Sequence, residues 1–180
     1  MKTAYKTLVI HPGDPTTDFL APVYQNKDWS LIRAARPSKR RVKDAIKNHD
    51  RIIMMGHGYT GGLYYPDGND YMIDSDMVYL LRQKQLAGIW CYANTFFHKY
   101  QLAGFRTGMI ISELNELDYC GVTATDQNIQ QANTLLACAL SNVDLFDSLA
   151  AASVHGYFLD PKYNDNPVVN YNKSNFYQTV

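Results

Sequence analysis

The chain carries no excess charge of either sign, since seventeen Lys and Arg balance seventeen Asp and Glu. That balance excludes the overall basic footprint of a nucleic-acid binder or a membrane-surface protein. Long hydrophobic runs are missing too: none approaches the ~20 residues of a spanning helix, and the stretch from Met1 to Ile10 has too few apolar residues for a signal peptide. The expectation is a cytoplasmic protein with neither membrane nor nucleic acid as partner. Cysteine is scarce, and Cys91, Cys120 and Cys138 are odd in number without C-x-x-C spacing, which excludes a disulfide framework and leaves reduced thiols. No internal repeat or low-complexity tract occurs.

What is present suits one globular domain over residues 1–180, ending in a polar, tyrosine-rich tail at 161–180. Short apolar runs alternate with amphipathic stretches, the pattern of βα units around a parallel sheet. Strands are expected at 7–11, 29–33, Arg51–Met55, 86–91 and 107–111, with a last one at 168–171. A short helix broken by Pro22 is expected at 19–24. Ser38 reads as the N-cap of a helix with Val42, Ala45 and Ile46 at helical spacing, and Asp74 or Ser75 as the cap of one running through Gln85. Another helix is expected near 95–102. Two further helices show apolar faces, one through Ile129, Ala132, Leu136, Ala139 and Val143, the other through Phe146, Leu149, Ala150, Ser153 and Tyr157. Cys138 then falls in an apolar run as a small buried residue, and Cys120 takes a structural role. His11, His49, His98 and His155 read as turn or surface residues, with Gly156 as a helix C-cap.

Two apolar runs end in reactive side chains: 52–55 leads into Gly56-His57-Gly58, and 86–90 into Cys91. On neighbouring parallel strands, His57 and Cys91 would emerge together at the carboxyl edge, where open α/β sheets place their chemistry. A thiol beside an imidazole suits nucleophilic catalysis, with Cys91 as nucleophile and His57 as general acid. Gly58 lacks a Cβ, so its N–H can lie open to a developing oxyanion, with the Cys91 N–H as a second donor. Gly56-His57-Gly58-Tyr59-Thr60-Gly61 also fits G-x-G-x-x-G, but Gly62, Pro66 and the Asp67-Gly68 turn break the helix that a dinucleotide fingerprint requires. Nucleotide binding is therefore the weakest of three functional readings.

An apolar strand ending in His-Gly, then a hairpin at 63–73, a helix after Asp74 and an apolar strand ending in Cys91 together resemble the caspase-like cysteine peptidases. That clan includes caspases, gingipains, clostripain and separase, and the layout is closest to CHAT-type domains. The resemblance covers roughly residues 8–157. It implies an α/β three-layer sandwich with a mainly parallel central sheet, and a thiol protease, a hydrolase cleaving protein or peptide substrates without cofactor or metal. Trp90 departs from the small or acidic residue usual before the cysteine, so a catalytically inactive interaction module of the same fold is the alternative. Glu113, Glu116 and Asp118 are the candidate substrate-binding residues, and a carboxylate among them would favour cleavage after Lys or Arg. Arg33, Arg36, Lys39, Arg40, Arg41 and Lys43 form the one basic cluster and read as a solvated helix start. His57, Cys91, His98, Cys120 and His155 are zinc-ligand types without zinc-site spacing.

Overall fold

The computed structural model describes residues 5–179. Residues 1–4 of the stretch judged too short for a signal peptide, and residue 180 of the tail, lie outside the described residues. The chain opens with β1 (Thr7–Ile10), crosses through a 3-10 segment (Pro15–Val23) to β2 (Ser30–Ile32), and returns through α1 (Lys39–Lys47) to β3 (Arg51–Met55). A small antiparallel sheet follows, made of β4 (Gly58–Tyr59), β5 (Gly62–Tyr64) and β6 (Tyr71–Ile73), then α2 (Val78–Leu81), β7 (Gln85–Ile89), α3 (Ala93–Tyr100) and β8 (Gly104–Thr107). The rest comprises α4 (Asn115–Cys120), α5 (Asp126–Asn142), α6 (Ala150–Tyr157), α7 (Pro167–Asn172) and β9 (Phe176–Thr179).

The central sheet has the order β2-β1-β3-β7-β8-β9, parallel throughout except for β9. Helices cover both faces. Successive strand side chains point to opposite faces, and β3 follows this strictly: Ile53 and Met55 join α5, α6 and α7 in one core, while Ile52 and Met54 join α1, α2 and α3 in the other. The result is a three-layer α/β arrangement around a mainly parallel sheet. No helix among the described residues is long and apolar enough to cross a membrane.

Several expected elements differ, each for a local reason. The Asp74 carboxylate caps a single 3-10 turn, Ser75–Met77, and α2 ends at Leu81. Gln85 therefore opens β7 rather than closing a helix, and its side-chain oxygen accepts from Arg51 Nε across the strand pair at 2.7 Å. β8 occupies 104–107, while 108–111 leaves the sheet: the Gly108 N–H donates to the Asn175 carbonyl, and Ile111 is held by Asn172. Residues 168–171 are helical, with Asn166 as N-cap and Pro167 at the first position. Both valines of the run are buried, and the tail's strand comes later, as β9.

The face of α6 is also shifted. Asp144 and Asp147 accept from the Phe146 and Leu149 N–H groups and hold that stretch as turns. The helix consequently buries Ala150, Val154 and Phe158 while Leu149, Ser153 and Tyr157 are exposed. Gly156 lies inside its last turn and Phe158 is the cap. Cys138 is exposed, because Ala137 and Ala139 on either side turn inward on α5. His11 is fully buried rather than at the surface.

Candidate active site

The register of β3 against β7 sets Met55 opposite Ile89. Two residues further on, His57 and Cys91 leave adjacent parallel strands at the same level of the carboxyl edge. Gly56, at φ 139, gives its N–H to the Ile89 carbonyl and turns the chain out of the sheet toward β4. After Cys91, Tyr92 adopts a left-handed conformation, φ 66, with its N–H on the Gly108 carbonyl, before α3 begins. Such backbone is costly for a residue with a side chain and is held here by its surroundings. His57 and Cys91 line one narrow cavity of about 30 Å³, room for roughly one water molecule, together with Gly56, Thr107, Ile110 and Ser112. A larger concavity, about 550 Å³ beside Cys138 and Tyr157, contains neither residue.

Cys91 is held as a thiol. Its Sγ donates to the Ile110 carbonyl at 3.4 Å and lies 3.8 Å from Glu116 Oε1. Burial, reinforced by that carboxylate, pushes its pKa up to about 12. The other Glu116 oxygen accepts from the Ser112 N–H at 2.6 Å, the Glu113 N–H at 2.9 Å and the Ser112 hydroxyl. Burial nevertheless raises the Glu116 pKa above the ordinary carboxyl value.

His57 faces a different set of groups. Its Nε2 lies 2.7 Å from Thr16 Oγ1, 3.2 Å from Glu113 Oε1 and 3.8 Å from Asp14 Oδ2. Thr16 gives its single hydroxyl proton to Asp14 Oδ1, at 2.9 Å, so toward His57 it can only accept. That places a proton on Nε2 and leaves Nδ1 as the basic nitrogen. No hydrogen bond joins His57 to Cys91 among the described residues.

Gly58 is positioned by the hairpin. The hydrogen bond from the Tyr64 N–H to the His57 carbonyl makes those residues a bonded antiparallel pair. The next pair, Gly58 with Leu63, is then non-bonded, with the Gly58 N–H turned away from β5. The Cys91 N–H likewise has no backbone acceptor among the described residues. Trp90 also borders the cavity, while it packs in the core on the opposite face of the sheet. Its ring packs against Phe96 and Phe97, its Nε1–H donates to the Tyr59 carbonyl at 3.2 Å, and a Cβ at Gly58 would stand 2.3 Å from it. Trp90 thus braces the hairpin from beneath.

The remaining candidates disperse. Glu113 and Glu116 turn inward to His57 and Cys91, while Asp118 is exposed on α4. Among the described residues no three His, Cys, Asp or Glu side chains cluster as metal ligands. Four of the basic cluster's cations are paired with carboxylates: Arg33 with Asp18, Arg36 with Asp67, Lys39 with Asp74 and Arg40 with Asp44. The glycines at 56–61 lead into β4 and β5, so no helix N-terminus stands behind them. Sequence reasoning missed Asp14 and Thr16. The available signal was the turn 12–16, which closes the strand that becomes the immediate neighbour of β3.

No family model matches the chain, and no curated protein matches it significantly.

Proposed function

We propose that this protein is a caspase-like cysteine endopeptidase with Cys91 as nucleophile and His57 as acid and base. One observation carries the reading: the two residues leave adjacent parallel strands in register and line the same cavity. His57 Nδ1 takes the Cys91 proton, and the thiolate sulfur attacks the peptide carbonyl carbon. The oxyanion is received by the Gly58 and Cys91 N–H groups. Collapse to the acyl-enzyme breaks the C–N bond as the imidazolium returns its proton to the leaving amine. Water, deprotonated by the same histidine, then hydrolyses the thioester and frees the thiol. Cleavage after Lys or Arg belongs to the proposal, with Glu113 and the exposed Asp118 as the carboxylates that would meet the cation.

A second reading, a silent module of the same fold, draws on the raised pKa and the Glu116 contact of the Cys91 thiol. Labelling with a peptidyl electrophile bearing Lys or Arg before the reactive carbonyl decides between them. Mass spectrometry is expected to find the adduct on Cys91, with the rate lowered about a hundredfold or more in His57→Ala. A folded protein left unlabelled at Cys91, both as wild type and as Glu116→Gln, overturns the peptidase reading and favours the module.

A further inference from the structure

The loop 112–116 touches both members of the dyad. It runs from the end of the pinned stretch 108–111 into the first turn of α4. Glu113 Oε1 stands 3.2 Å from His57 Nε2, and Glu116 Oε1 stands 3.8 Å from Cys91 Sγ. Two acidic side chains three residues apart thus engage the acid-base group and the nucleophile separately. Ser112 of the same loop lines the cavity beside both residues. The loop also has an outward handle, since Leu114 at its tip is 55% exposed.

We propose that loop 112–116 is an autoinhibitory clasp, in which Glu116 beside the sulfur and Ser112 at the cavity hold Cys91 as a buried thiol until the loop moves. This inference rests on the peptidase reading for its purpose. Two further features argue for a device that opens. The buried Glu113 Oε1 has no hydrogen-bond partner, so its contact with His57 is one of proximity, without the alignment that would fix it. Glu116, by contrast, is anchored to the loop's own N–H groups, so moving the loop carries its carboxylate off the sulfur as a unit. A negative charge beside the sulfur opposes thiolate formation. Its withdrawal prepares the nucleophile and moves Ser112 from the cavity wall at once.

The test is the alkylation rate of Cys91 by iodoacetamide at neutral pH, in a Cys120→Ser, Cys138→Ser background. Glu116→Gln keeps an oxygen for the loop N–H groups while removing the charge, and is expected to accelerate alkylation about tenfold, one pKa unit's worth. An unchanged rate in folded Glu116→Gln overturns the clasp. NMR of the otherwise unaltered protein supplies a second measurement: the Asn133 side-chain amide, which donates to the Ser112 carbonyl at 3.0 Å from outside the loop, is expected to lose that bond and shift once Cys91 carries a peptidyl adduct. An unshifted Asn133 amide in the adduct overturns the clasp equally. Alkylation needs no peptide chemistry, so the two readings fail separately. Faster alkylation of Glu116→Gln without any peptide labelling keeps the clasp and removes the peptidase, whereas peptide labelling with unchanged alkylation does the reverse.

Discussion

His11 is the residue whose setting is least like that of its type. It ends β1 with no exposure, its ring nitrogens 3.1 Å from the Tyr24 hydroxyl and 3.0 Å from Thr17 Oγ1, with the Arg33 guanidinium also at 3.1 Å. Burial first, and Arg33 second, lower its pKa from 6.5 to about 4. Above pH 6.5 folded and unfolded chains both carry it neutral. Between 6.5 and 4 only the unfolded chain takes the proton, so folding stability falls as the pH drops, by about 1.4 kcal/mol per unit. Urea midpoints across that window are expected to fall more steeply for the wild type than for His11→Gln; equal slopes would count against this account. Residues at this scale were legible in the sequence where one strand's own pattern exposed them, as with His57, Gly58 and Cys91. Asp14 and Thr16 were not, because their contact with His57 depends on β1 lying beside β3, which no short-range pattern encodes.

Among the elements, α5 was the most legible, through the apolar face of Ile129, Ala132, Leu136 and Ala139 that it buries. Thr125 accepts from the Asn128 N–H while the Asn128 side-chain oxygen accepts from the Thr125 N–H, closing a capping box ahead of a long apolar face. Thr125→Ala is expected to cost about 1 kcal/mol, read as a lowered thermal midpoint; an unchanged midpoint would show that packing alone fixes the helix start. Elements governed by weaker local signals were misjudged. The valines at 168 and 169 suggest a strand by type, yet the Asn166 cap and Pro167 commit the segment to helix. At 107–111 an apolar run extends beyond β8, but the sheet ends where the pairing with β9 stops, at Thr107. Carboxylate caps likewise delay the start of α6 and rotate its buried face.

For the whole molecule, alternation of short apolar runs predicted a parallel sheet between helices, and the six-stranded sheet with two cores agrees with it. The antiparallel β9 was not legible, since pairing with β8 joins residues 69 to 75 positions apart. The same long-range closure brings in Asn172, which is fully buried. Its Oδ1 accepts from the Ile111 N–H at 2.9 Å and its Nδ2 donates to the Ile111 carbonyl at 3.0 Å. Asn172→Ala strands both backbone groups and is expected to cost about 2–4 kcal/mol in a denaturant titration. A loss below 1 kcal/mol would show that water or a local shift re-satisfies them.

That pair of hydrogen bonds also fixes a pivot. Ile111 is fastened to α7, and the residue after it begins the loop that reaches His57 and Cys91. Rotation of the loop must therefore occur beyond Ile111. Tension applied through β9 would pull on the same anchorage, so under load the molecule would carry force from its last strand to the root of the loop beside the thiol.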